Sequence, residues 1–109
     1  MNNQAGLLRH RIQIQEKQVS RDEFNAEVIT WILKYHAWAS IEPLNGREFF
    51  EARMIQAEIT HRITIRYRPD ITPEMRLEFN GRYFDIESVR NIREIGNTTI
   101  IMARENPHE

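Results

Sequence analysis

The Asn80-Gly81 dipeptide limits the possible folds of this chain more than any other feature. A two-residue hairpin turn of the I′ kind needs positive φ at both central positions, which Asn and Gly tolerate best, so the pair predicts a tight β-hairpin. Pairing arithmetic tests the prediction. A two-residue loop sets Phe79 opposite Arg82, Leu77 opposite Phe84 and Met75 opposite Ile86 on one face, with Glu78 opposite Tyr83 and Arg76 opposite Asp85 on the other. Apolar partners fall together and the opposite charges Arg76 and Asp85 meet, each such pair contributing roughly 0.2–1 kcal/mol. Met75–Phe79 and Arg82–Val89 are therefore expected as antiparallel strands.

The other segments follow by hydrophobic period. Leu8 to Gln15 alternates, with Leu8, His10, Ile12 and Ile14 on one side and Arg9, Arg11, Gln13 and Gln15 on the other, the mark of a half-buried strand. Lys17–Glu27 is polar, with Ser20, Asp22 and Asn25 as turn formers, and predicts a loop or extended hairpin tip. Val28–Ile41 is rich in β-branched and aromatic residues and predicts a strand, bulged or bent near Lys34 where the alternation loses phase; a helix over Val28–Tyr35 is the competing reading. After Pro43, Asn45 caps a first turn and Glu48 reaches back to it, so a helix is expected from Gly46 to Ala57. On that helix Phe50, Met54 and Ala57 share a face with Phe49 at its margin, so Phe49 and Phe50 are expected to anchor it to the sheet; Ile55 is left among acids. Ile59–Tyr67 alternates cleanly, with Ile59, His61, Ile63, Ile65 and Tyr67 inward and Thr60, Arg62, Thr64, Arg66 and Arg68 outward. Pro69 stops it, and Asp70–Pro73 turns. Gly96-Asn97 is a further turn, and Thr98–Arg104 is apolar on both faces, a strand buried on two sides.

About six strands and one helix, with short links and no βαβ alternation, predict a mainly β fold: a small antiparallel β-barrel with one α-helix packed on its side. Residues 1–109 are expected to form a single domain, with 1–6 and 105–109 flexible.

The residue types present restrict the chemistry. With no cysteine, neither a disulfide framework nor a thiolate metal site is possible. Sixteen acidic against fifteen basic side chains argue against a protein that grips phosphate backbone through an overall positive field. No segment approaches the ~18 apolar residues of a membrane span, so the expectation is a soluble protein made inside the cell. The histidines His10, His36, His61 and His108 stand apart, without metal-ligand spacing, and His10 and His61 fall on apolar faces as core or interface residues. Asp85, Ser88 and His61 make an unconvincing triad because no nucleophile elbow accompanies them. Four scattered glycines build no phosphate loop. Neither an enzyme nor a cofactor is expected. The row Arg62, Arg66 and Arg68, with Arg90 and Arg93, suggests nucleic acid, yet it shows no interleaved exposed aromatics; a solvated edge or charge partners across a subunit contact is the plainer reading.

Several stretches together resemble a known family. LLRHRIQIQ, WASIEPLNGREFFEA, ITHRITIRYRPDITPEMRL, FNGRYFDIESV and the closing ARE, in this order from Leu7 to Glu105, are similar to the head-tail joining proteins of long-tailed bacteriophages, also called head-closure or stopper proteins and often encoded in prophages. The pairing of WASIEPLNGREF with THRITIRYRP is the specific part. One departure is visible: the family's first loop carries glycine, and SRDEFNAEV has none.

The resemblance implies a small β-barrel with a side helix that assembles with itself as a ring in the virion neck, made in the bacterial cytoplasm. Its implied partners are the portal or portal-adaptor protein on the head side, a tail-completion or tail-terminator protein below, and DNA passing through without sequence-specific binding; no membrane is involved. A loop between the early strands helps retain packaged DNA in some members, which would correspond to Arg21, Asp22, Glu23 and Glu27 here. Trp31, Trp38, Glu48, Ile55, Arg62, Arg66 and Arg68 are the expected subunit or partner contacts. A tail-completion or terminator protein of the same phage, and a small nucleic-acid-binding barrel, are the two alternatives.

Overall fold

The computed structural model describes residues 8–55, 58–94 and 96–106. Six strands, β1 (His10–Arg21), β2 (Glu27–Pro43), β3 (His61–Arg66), β4 (Arg76–Phe79), β5 (Arg82–Ile92) and β6 (Thr98–Asn106), and one helix, α1 (Gly46–Met54), make up the regular structure. Every strand pairing is antiparallel, in the order β1-β2-β3-β6-β5-β4, and β4 returns to β1 to close a barrel. The mainly β fold expected from the sequence is the fold observed.

The hairpin at Asn80-Gly81 has the register that the arithmetic gave: Phe79 faces Arg82, Leu77 faces Phe84, and Arg76 faces Asp85. Both turn residues take positive φ, 52° and 80°, as a I′ turn requires. Positive φ recurs at Gly96 (75°) and Asn97 (46°), in the longer connection between β5 and β6. Inward positions of all six strands fill the core. Ile14, Ile63, Ile65, Leu77, Phe84 and Ile101 are wholly buried there.

The bulge expected near Lys34 is present. Ile14 pairs with Tyr35 and Gln15 with Leu33, leaving Lys34 as the extra residue on β2. The competing helix over Val28–Tyr35 is excluded, since that stretch lies within β2.

One open reading is decided and two expectations need correction. The polar stretch Lys17–Glu27 is an extended hairpin tip and not a loop: β1 runs to Arg21 and β2 starts at Glu27, so only Asp22–Ala26 connects them. Backbone pairing along two partners is enough to hold it extended, and with no core to bury, neither face needs apolar alternation. Glu105 and Asn106, expected to be loose, belong to β6 opposite Phe84 and Tyr83. There the Arg82 guanidinium grips the Glu105 carboxylate at 3.0 and 3.1 Å, a bidentate pair that orders the strand end. Finally, α1 is not anchored by its aromatic residues. Phe50 and Met54 are exposed to 70% and 84%, and no residue of the helix is buried. The capping box is as expected, with Asn45 Oδ1 accepting from the Glu48 amide and Glu48 Oε1 accepting from the Asn45 amide. The helix ends at Met54; Gln56 and Ala57 lie outside the described residues, as do 1–6 and 107–109 of the expected flexible ends.

β4 reaches β1 only at Gln13–Gln15, and β3 reaches β2 only at Ala39–Pro43. Beyond those points β1 and β2 pair with each other alone. They leave the barrel as a two-stranded arm, and the molecule measures 56 × 30 × 25 Å.

Candidate assembly surface

The sequence-derived candidates fall on three separate surfaces: the arm, the outer wall of β2 and β3, and the helix. At the arm tip, Arg21, Asp22, Glu23 and Glu27 come together, all exposed. Asp22 Oδ1 accepts from the amides of Phe24 (2.8 Å) and Ala26 (2.9 Å), while Arg21 Nη1 donates to the Asn25 carbonyl at 2.9 Å. Asn25 takes φ of 64°, so asparagine supplies the left-handed residue that glycine would otherwise provide. This ordered turn holds Phe24 outward, 82% exposed. Behind it, Val19 and Ile29 face each other across the ladder and Leu33 follows on the same face, each about half exposed.

Trp31 sits at the root of the arm and has a structural role. Its ring lies 4.5 Å from the Arg76 guanidinium, which is covered on another side by Tyr83 at 4.2 Å and donates through Nε to Gln15 at 2.6 Å. Arg76 is thus buried on the outside of the barrel. Periodicity placed it on an outward face but could not reveal a cation enclosed by rings. A second clamp pins the arm's root. Tyr35 donates its hydroxyl to Asp70, and Arg68 lies 4.0 Å over the Tyr35 ring. That hydrogen bond raises the tyrosine's pKa and holds the Asp70 carboxyl below its usual range.

Trp38 stands on the outer wall, 52% exposed, paired across the ladder with Arg11, whose guanidinium is 5.7 Å from its ring. His36, Ala37, Trp38, Arg66 and Arg68 line one groove of about 180 Å³. The arginine row therefore does carry an exposed aromatic, contrary to the sequence expectation; Trp38 comes from a neighbouring strand, out of reach of a reading along β3. Among the described residues no carboxylate forms an ion pair with Arg11 or Arg66.

Arg62, by contrast, is spoken for. It pairs with Glu48 of α1 and, at 3.5 Å, with Glu42, and the Glu48 carboxyl is pushed down by the Arg62 hydrogen bond and then by the Asn45 amide. These two residues fasten the helix to the wall. Between them, Leu44, Glu51, Ala52, Ile55 and Met102 enclose a second groove of about 270 Å³, and Ile55 is 77% exposed at its edge.

Among the described residues, the three weighed for a triad are each engaged elsewhere or exposed. His61 hydrogen-bonds Thr60 through Nδ1 at 2.8 Å, Asp85 is engaged by Arg104 at 3.0 Å, and Ser88 is exposed on β5. Among the described residues, no three His, Asp or Glu side chains are placed to hold a metal ion.

The fold has relatives among solved structures. A protein from Shigella flexneri 2a, SF1141, solved in solution, is 30% identical, with a TM-score of 0.78 and complete coverage of both chains. A chain in the virion of a native gene transfer agent particle shares the fold at 19% identity and a TM-score of 0.60, over 91% of this chain and 96% of that one. No curated protein matches the sequence. The family model for phage head completion proteins matches residues 4–106, nearly the whole length. A barrel closed by six antiparallel strands, with its distinctive residues spent on outward surfaces, thus carries that family's sequence pattern from end to end, and the chain belongs to the phage head completion protein family.

Proposed function

We propose that this chain is a ring-forming component of the phage neck, joining the DNA-filled head to the tail and helping to keep the packaged genome in place. The match to the head completion family over residues 4–106 carries the reading. Surface chemistry supports it. Val19, Phe24, Ile29 and Leu33 on the arm, and Phe50, Met54 and Ile55 by the helix, are exposed apolar side chains grouped at two places, the kind of surface that a partner covers. These patches lie on different parts of the molecule, because the helix stands by β3 and β6, on the far side of the barrel from β1. Unlike patches on opposite sides suit a heterologous, head-to-tail contact, which closes into a ring when the rotation allows. A formal net charge of −1 fits a channel through which DNA must slide, since strong phosphate contacts would hold it.

The partners in this reading are copies of the chain, the portal side of the head and the completed tail. Reconstruction of the neck in mature particles tests it: density for a ring of this barrel between portal and tail is the expected result. A particle population that lacks the chain should package DNA but leave heads and tails unjoined, with DNA then leaking from the heads. Normal tail attachment without it removes the proposal. Crosslinking to tail-tube proteins alone would move the chain to the tail-completion station.

A further inference from the structure

A large aromatic side chain 82% exposed at the end of a well-ordered turn calls for an explanation. The turn at Asp22–Ala26 spends a carboxylate, a guanidinium and a left-handed asparagine on fixing the backbone around Phe24. Pre-set geometry of this kind lowers the ordering cost when a side chain is inserted into a partner, and buried aromatic anchors carry much of the energy of an interface. Around Phe24 the charge is acidic: one cation, Arg21, stands against three anions, Asp22, Glu23 and Glu27, a net of −2.

The chain itself offers the complementary surface. The outer-wall groove has an exposed indole, Trp38, with Arg11 over it and Arg66 and Arg68 along its edge, and Arg11 and Arg66 are without carboxylate partners among the described residues. An aromatic ring with acidic flanks and an indole with basic flanks match in both shape class and sign. The two cannot meet within one molecule. Arg11 and Arg21 are ends of the same strand, so at about 3.3 Å per residue the tip is roughly 33 Å from the groove. That span is close to the 30 × 25 Å cross-section of the molecule, so a second copy set beside the first along the arm would bring its groove beneath the tip.

We infer that the arm tip of one copy docks into the Trp38 groove of the next, with Phe24 against Trp38 and Glu23 and Glu27 against Arg11 and Arg66. The contact rests on the ring reading and deepens it, because a tip-to-groove pairing is head-to-tail and repeats around a closed assembly. It also gives the tip an alternative to facing the lumen.

The natural absence of cysteine makes a covalent test clean. Particles assembled with Phe24→Cys and Arg66→Cys in the same chain, on oxidation, should give a ladder of covalent oligomers beyond the dimer, while either single substitution stops at dimers. Both positions are exposed, and unchanged far-ultraviolet circular dichroism would establish that the barrel is intact. As a second reading, Glu27→Arg should lower ring yield at least tenfold, and Glu27→Arg with Arg66→Glu should restore it. Rings visible by microscopy with no ladder and no charge-swap rescue overturn the contact but leave the ring. Wild-type particles without a ring overturn both. Salt-dependent DNA binding that is lost in Trp38→Ala, with ring yield unchanged, would make the groove a nucleic-acid site and end the inference.

Discussion

Arg76 shows how much a single residue can depend on its setting. A guanidinium on the outside of a barrel is ordinarily solvated, but here Trp31 and Tyr83 enclose it and Gln15 takes its Nε–H, so it packs as a flat, charged plate. Arg76→Ala should destabilise the protein by about 2–3 kcal/mol through lost cation–π contact and a void beneath Trp31. Arg76→Lys should recover little, because an ammonium lacks the planar surface that both rings contact. The urea midpoint, at unchanged slope, measures both. His61 sets a pH dependence of definite sign. Burial against Phe84, whose ring is 5.3 Å away, holds its imidazole below the ordinary value near 6.5, while Glu105 opposes the shift. Unfolding therefore lets His61 take up a proton, so its contribution is fully present above pH 6.5 and is lost as the pH falls from there toward the lowered folded value. Glu105, held down chiefly by Arg82, loses its contribution only below about pH 4.5. His61→Gln should flatten the upper part of the stability profile and spare the acid limb; a slope unchanged from wild type near pH 6 would show that another group is responsible.

Elements were legible wherever local chemistry and burial agreed. The Asn80-Gly81 hairpin could be read to the residue because turn geometry and apolar pairing gave the same register, and a bulge near Lys34 could be expected because the alternation of Val28–Ile41 loses phase there. In the arm, the β2 side was legible from its β-branched and aromatic residues from Val28 on, but the β1 side past Lys17 could be read only as a loop or an extended hairpin tip. Its residues bury nothing, so the two-residue period that marks a strand is absent, and only pairing with β2 keeps it extended. For α1 the cap was readable but the packed face was not, since amphipathic reasoning assumes an apolar attachment and this helix is held by Glu48 on Arg62. Surfaces shared between strands, such as Trp38 beside Arg66, needed the fold. Two glycine substitutions separate these cases. Gly81→Ala puts a side chain at φ of +80° with no steric clash nearby, so its cost of about 1–2 kcal/mol comes from backbone strain and should appear in global unfolding. Gly46→Ala, in open space at the start of α1, should stabilise the helix by about 0.4–1 kcal/mol. Because no residue of that helix is buried, the gain should appear as slower amide exchange in α1 with little change in melting temperature. Glu48→Ala should do the reverse, releasing cap and anchor together.

At the scale of the molecule, stability and assembly are carried by different parts. The barrel holds the buried residues; Lys17–Thr30 of the arm holds none, and every side chain there is exposed. A free two-stranded ribbon with apolar positions on its surface stabilises nothing in the isolated chain, and its cost in solubility makes sense only if another surface covers it. The separation can be tested by shortening the arm. Replacing Val19–Ile29 with Asn-Gly would join Gln18 to Thr30, which already face each other, through the turn that the chain uses at residues 80–81. Trp31 and its cover over Arg76 remain. The shortened protein should melt within a few degrees of wild type and stay soluble to higher concentration, because only exposed surface has been removed. Particles made with it should fail at the neck, with full heads and tails left unjoined. A large fall in melting temperature would mean that the arm supports the barrel, and normal particles would mean that the apolar arm is not the surface on which assembly depends.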